Sequence, residues 1–175
     1  MIIPVDTDYE ETENIEGETE ETIGDSASLI RQVAPGEPSV SYAVHCQTYG
    51  WMSPMSDGAK AGTSGQSKRL EAICIRLNSN GAVDEQGNPL TGGIRYRTHV
   101  QTFGWQDWVS SEMDGEDIAF MIDGGKYAGT SGLARRLEGI EIELTGDIAN
   151  YYDIVYRTHV QTFGWLEPVK NGAMS

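Results

Sequence analysis

An internal repeat constrains this chain more than any other feature. Three segments align without a gap: Ser41-Tyr42-Ala43-Val44-His45-Cys46-Gln47-Thr48-Tyr49-Gly50-Trp51, Arg95-Tyr96-Arg97-Thr98-His99-Val100-Gln101-Thr102-Phe103-Gly104-Trp105 and Val155-Tyr156-Arg157-Thr158-His159-Val160-Gln161-Thr162-Phe163-Gly164-Trp165. A second element, Ala61-Gly62-Thr63-Ser64-Gly65 followed by Arg69-Leu70-Glu71-Ala72-Ile73, returns as Ala128-Gly129-Thr130-Ser131-Gly132 followed by Arg136-Leu137-Glu138-Gly139-Ile140. A chain written this way folds as equivalent units that bury their apolar faces against one another.

The spacing between the two elements locates the insertions. Trp51 is 10 residues before Ala61, whereas Trp105 is 23 before Ala128. The second repeat therefore carries about 13 extra residues, read here as a flexible acidic loop over 106–125 with its own Trp108. Both elements alternate with period two: Tyr96, Thr98, Val100 and Thr102 against Arg97, His99, Gln101 and Phe103, and Ile140, Ile142 and Leu144 against Glu141 and Glu143. In the first repeat Ile73, Ile75 and Leu77 oppose Cys74 and Arg76. Alternation of this kind predicts half-buried strands with polar outer faces. The fold class is all-β, with two long strands per repeat joined by Gly-rich turns. Residues 166–175 align with 52–61, and the second element has no third copy, so the sequence reads as a fragment whose third repeat is truncated.

Composition separates a tail from the repeats. The net charge is −15, and 10 of the 27 acids fall in the first 30 residues, which contain no Lys or Arg. Residues 1–37 read as a disordered acidic tail or linker, because so polar a stretch buries too little surface to offset its ordering entropy. The Pro35-Gly36-Glu37-Pro38 cluster marks the start of a repeat domain over 38–175, with repeats at about 39–94, 95–153 and 154–175. So acidic a chain disfavours nucleic acid and anionic lipid surfaces as partners, and no run of 18 apolar residues offers a helix for membrane insertion. The N-terminus shows no secretion signal, and Cys46 and Cys74 make neither a disulfide framework nor a zinc site.

The order Tyr-x-x-His-Val-Gln-x-x-Gly-Trp, variable loop, Gly-Thr-x-Gly and Arg-Leu-Glu-Gly-Ile resembles the ChW repeat family, clostridial hydrophobic repeats with a conserved tryptophan, over about residues 39–175. Proteins of that family are typically secreted or surface-attached in Gram-positive bacteria. The resemblance implies an extracellular, non-catalytic module that attaches a longer protein to cell-wall glycan, another polysaccharide or an extracellular protein. It supplies no ligand-contacting residues. Its copies usually come in threes, which implies a pseudo-threefold closure of the β-prism or trefoil-like kind.

Among the chemistry-bearing residues, His45, His99 and His159 occupy one repeat position. With no Cys or carboxylate ligand in register they read as strand-surface histidines rather than a metal site. Cys46, replaced by Val100 and Val160 in the other copies, reads as a small buried side chain. Glu71 and Glu138 recur without an acid partner at fixed separation, which argues against glycoside hydrolysis and for a structural role, either pairing with Arg69 or Arg136 or capping a turn. The acids Asp114, Glu116, Asp117 and Asp123 fit no EF-type calcium spacing. Gly-Thr-Ser-Gly lacks the Lys of a phosphate loop and reads as a tight turn with a hydroxyl bonded to backbone. No cofactor and no enzyme activity are implied. Trp51, Trp105 and Trp165 either pack between repeats or stack on a sugar face, Tyr49, Phe103 and Phe163 read as core, and Trp108 stands apart as a partner contact. The candidate ligand-binding set is thus Trp51, Trp105, Trp165, Trp108, His45, His99 and His159. The rival reading is a protein-interaction or spacer module with every indole in the core.

Overall fold

The computed structural model describes residues 1–5 and 36–175. The elements run β1 (Ile2–Pro4), β2 (Ser39–Cys46), β3 (Gly50–Trp51), β4 (Met55–Ser56), β5 (Leu70–Asn78), β6 (Gly93–Val100), β7 (Gly104–Trp105), β8 (Val109–Glu112), α1 (Ile118–Asp123), β9 (Ala128–Gly129), β10 (Leu137–Thr145), a 3-10 turn (Asp147–Asn150), β11 (Tyr152–Tyr156), β12 (His159–Val160), β13 (Gly164–Trp165) and β14 (Val169–Lys170). The described chain is mostly β, with antiparallel strand pairing and one short helix. The expected alternation holds in β6 and β10, where Ile94, Tyr96, Thr98, Val100, Ile140, Ile142 and Leu144 are buried and the intervening Arg, His and Glu side chains face outward.

Each complete repeat is a long antiparallel pair. β2 pairs with β5, Val40 opposite Leu77 and Tyr42 opposite Ile75. β6 pairs with β10 in the same way, Ile94 opposite Leu144 and Tyr96 opposite Ile142. The repeats are then stitched by one recurring junction. Ala128 of the second repeat lies opposite Ile73 of the first, and Ser175 of the third exchanges both backbone hydrogen bonds with Ile140 of the second, at 3.0 and 3.1 Å. Ile73 and Ile140 are equivalent positions, as are Ala128 and Ser175. The approach is close enough to require glycine: Gly129 has φ +107°, and a Cβ there would lie 2.4 Å from the Glu71 carbonyl oxygen.

The third repeat gains its second strand from elsewhere in the chain. In β1, Ile2 lies opposite Ile154 of β11 and Ile3 opposite Asp153. Ile154 is the counterpart of Val40 and Ile94, so Ile2 stands where Leu77 and Leu144 stand in the first two repeats. The Met1 ammonium also donates to the Val155 carbonyl at 2.9 Å. The expectation of a disordered segment over 1–37 therefore fails at Ile2–Pro4, which are paired and set Ile2 against the core; residues 6–35 lie outside the described residues. The gain is physical: an open strand edge on β11 is replaced by backbone hydrogen bonds and an apolar contact.

The insertion of the second repeat is also folded rather than loose. β8 pairs with β6, and α1 lays Ile118 and Met121 on Ala43 and Cys74 of the first repeat, with Trp51, Ile122 and Tyr127 packed at the edge. The predicted polar outer face of the β2–β5 pair is thus covered at this point. Burial pushes the Cys74 thiol up to about 11 and the Tyr42 hydroxyl up to about 12, the latter helped by the Asp57 carboxylate.

Two predictions follow from this packing. Replacing Ile2 by Asp, which places a charge beside Ile154, lowers unfolding free energy by about 2 kcal/mol in urea titration. The raised Cys74 and Tyr42 groups hold their protons more tightly folded than unfolded. Their contribution to stability is therefore full below pH 9, the unfolded thiol value, and is lost through pH 9 to 12 as Cys74 and then Tyr42 ionise. Thermal melts across that range check the window, and Cys74→Ala delays its onset.

Candidate functional site

The repeat positions singled out by sequence converge at the turn end of each long pair. In β2–β5 the register slips between His45 and Cys46, opposite Ala72 and Leu70. In β6–β10 it slips opposite Gly139 and Leu137. The extra residue of each bulge is Glu71 and Glu138, and a bulge re-aims the side chain it carries. Both carboxylates turn toward the histidine of their own repeat: His45 Nδ1 lies 3.1 Å from Glu71 Oε2, and His99 Nδ1 lies 3.2 Å from Glu138 Oε2. The first contact is close but angled away from hydrogen-bond geometry. The expected arginine pairing is present, Arg69 to Glu71 Oε1 at 2.8 Å and Arg136 to Glu138 Oε1 at 2.7 Å.

Each histidine also meets its repeat's tryptophan edge to face, with centroids 5.6 Å apart for His45 and Trp51, 5.5 Å for His99 and Trp105, and 5.3 Å for His159 and Trp165. The strand register enforces this, since histidine and tryptophan are directly opposed in all three hairpins. The unit is a packed aromatic–carboxylate–guanidinium cluster. Among the described residues no group of three His, Cys, Asp or Glu side chains has the geometry to hold a metal ion.

What surrounds the indole differs from repeat to repeat. In the second and third, Arg97 and Arg157 lie over Trp105 and Trp165 at 5.0 and 5.1 Å from the ring centres. The first has Ala43 at that position, and the space goes to Tyr127, whose ring meets Trp51 at 5.2 Å. Trp51 is therefore a packing residue beneath the insertion, Trp105 is half-buried, and Trp165 is 47% exposed. Trp108 is half-buried, held between Arg95 and Arg97 with each guanidinium 4.7 Å from its ring centre. Those arginines are fixed by Glu143 and Glu141 across the sheet. The order Arg95, Trp108, Arg97, Trp105 forms a stacked ladder on the outer face of the second repeat.

The turn aromatics depart from expectation. Tyr49, Phe103 and Phe163 were expected in the core and are instead 54%, 53% and 79% exposed. Their turns are closed by backbone bonds from Tyr49 N to Cys46 O, Phe103 N to Val100 O and Phe163 N to Val160 O. Thr48, Thr102 and Thr162 sit at the third turn position with φ of +77°, +69° and +81°. That position calls for glycine or asparagine, so three β-branched residues hold a strained conformation and project the next ring outward.

Other expected features are placed plainly. Cys46 is fully buried as a free thiol. The insertion acids have separate partners: Asp114 accepts from Ser79, Glu116 pairs with Lys126 and Asp117 faces Arg76. The bonds from Ser79 hold the Asp114 carboxyl below the usual carboxylate range. The Gly-Thr-Ser-Gly segments are turns, with positive φ at Gly62, Gly65, Gly129 and Gly132. The Thr130 hydroxyl in the second of them is buried without a hydrogen-bond partner, contrary to the backbone bond expected for it.

Two substitutions separate packing from strain. Glu71 is buried between His45 and the Arg69 guanidinium, so Glu71→Ala, which leaves that guanidinium without its carboxylate, costs about 3 kcal/mol of stability, against about 1 kcal/mol or less for Glu138→Ala at its more exposed site. Thr102→Gly relieves the turn and raises stability by about 1 kcal/mol in the same urea assay.

A family model described as clostridial hydrophobic W matches residues 45–79 and 121–146. No curated protein and no solved structure matches significantly. The first matched segment holds His45, Trp51, Arg69 and Glu71, and the second holds Arg136 and Glu138, so the bulged glutamate lies inside both. The chain thus carries two segments that match the ChW family, clostridial hydrophobic W.

Proposed function

We propose that this chain is a non-catalytic extracellular binding module, which attaches a longer polypeptide to cell-wall glycan or another polysaccharide. The observation that carries the reading is the Arg95–Trp108–Arg97–Trp105 ladder. Its indoles are held rigid by guanidinium groups on a sheet face and remain partly open to solvent. Rigid aromatic faces bordered by fixed donors suit a sugar ring, whose apolar face stacks while its hydroxyls meet the guanidinium edge. Trp165 under Arg157 offers a second surface of the same type, and two weak sites on one polymer gain by avidity.

The same reading takes the repeats to close about a pseudo-threefold axis in the prism or trefoil-like manner. Its support is the junction that recurs between successive repeats, and the way Ile2 fills the place of Leu77 and Leu144. A protein partner is the rival class, favoured by Trp51, which is half-buried and packs beneath the insertion.

The test is retention of the full chain on purified peptidoglycan and soluble glycans, with indole emission followed during titration. Trp108→Ala and Trp105→Ala, each checked for an unchanged melting temperature, are expected to weaken binding by about tenfold. Folded protein that shows neither retention nor an emission shift overturns the glycan reading in favour of the protein partner.

A further inference from the structure

The exposed turn rings form a surface distinct from the ladder. In the first repeat the Tyr49 hydroxyl donates to Gln66 Oε1 at 2.7 Å, and Lys68 Nζ donates to Thr48 Oγ1 at 3.1 Å. In the second, the Arg135 guanidinium lies 5.8 Å from the Phe103 ring centre. Lys68 and Arg135 are equivalent, each one residue before the arginine that binds the bulged glutamate. Arg69 and Arg136 are neutralised by Glu71 and Glu138. Lys68 and Arg135 have no carboxylate partner among the described residues, although the chain as a whole carries a net charge of −15.

Two repeats thus place an unneutralised cation at the turn that carries an exposed ring, Arg135 against Phe103 itself and Lys68 on the Thr48 that precedes Tyr49, and both rings stand on a turn strained at threonine. The local returns are small, a bond from Lys68 to Thr48 Oγ1 and one from the Thr102 hydroxyl to the Gln101 carbonyl, and a glycine at the same position would form the turn at lower cost. Backbone strain that recurs in each repeat, with a ring pushed into solvent, belongs to a contact surface. We infer that Tyr49 with Lys68, and Phe103 with Arg135, are two equivalent subsites for a carboxylate-bearing polysaccharide. The ring takes the apolar face of a sugar and the cation takes its carboxylate. A polymer fits better than a single small anion, because two subsites on one molecule gain by avidity when one chain engages both. Nucleic acid offers stacking and anions as well, but a duplex carries more negative charge per unit length than a polymer with one carboxylate per sugar, and the acidic remainder of the molecule opposes it more strongly.

The inference rests on the glycan-binding reading and adds the charge of the ligand and the residues that sense it. The experiment uses the full chain with polygalacturonate and its methyl-esterified form, which share a backbone and differ in charge, alongside purified peptidoglycan. The expected result is calorimetric binding to polygalacturonate that falls at least about tenfold in the Lys68→Gln/Arg135→Gln variant. The esterified polymer is expected to bind the unaltered chain as weakly as the acid polymer binds that variant. Tyr49→Ala/Phe103→Ala is expected to weaken both polymers, with melting temperatures unchanged throughout. Equal affinity of the unaltered chain for the acid and esterified polymers, or no loss in the charge variant, overturns the inference and leaves the glycan reading standing. Binding to peptidoglycan with none to polygalacturonate has the same meaning. Absence of binding to all three overturns both.

Discussion

The hydrogen-bonded junction between successive repeats is the constraint on which the rest of the structure depends. A two-strand unit of this size has an edge on each side and an apolar face too small to bury alone. Ile73 against Ala128 and Ile140 against Ser175 meet that need by lending each second strand a short segment from the next repeat. The glycine after the alanine in Ala128-Gly129 permits the close approach, and the same pair in Ala61-Gly62 keeps the large positive φ of its counterpart. Strand pairing across repeats, rather than within one, therefore fixes where the turn ends lie relative to one another.

Once that frame is fixed, single side chains decide what each equivalent surface becomes. Arginine at 97 and 157 covers an indole with a cation and leaves its flank to solvent, whereas Ala43 opens a space that the neighbouring repeat's insertion fills. A helix of six residues is too short to be stable by itself, so α1 depends on the pocket made by Ala43 and Cys74. The first repeat thereby trades an aromatic surface for a second small core, while the second repeat retains its ladder. Divergence among the three tryptophans is a consequence of packing volume at one position.

Much of this was legible in the sequence because the repeat period and the strand alternation reinforce each other. The long strands, the inward set in β6 and β10, the buried Cys46 and the Arg–Glu pairs are all read from residues two apart or from matched positions. The parts that were not legible depend on contacts without a period. Three residues at the N-terminus carry no alternation to mark them as a strand, and their partner lies some 150 residues away. The bulges at Glu71 and Glu138 shift register by one residue, which only the opposing strand reveals. Trp108, which the polar insertion marked as a loose contact, is instead clamped by Arg95 and Arg97 on a strand reached only through the fold.

The turn aromatics show where a sound rule misleads. A large ring after a strand usually belongs to the core, because burial of its area outweighs most alternatives. At Tyr49, Phe103 and Phe163 the backbone decides otherwise: positive φ at the preceding threonine turns the chain so that the ring points away from the sheet. Hydrophobic burial is lost and strain is added, in three places, for a turn that glycine would make more cheaply. On the proposal made for these turns, a bound ligand offsets the cost repeated at equivalent positions. The unneutralised Lys68 and Arg135 beside two of the rings give that offset a chemical direction, toward a ligand with both an apolar face and a negative charge.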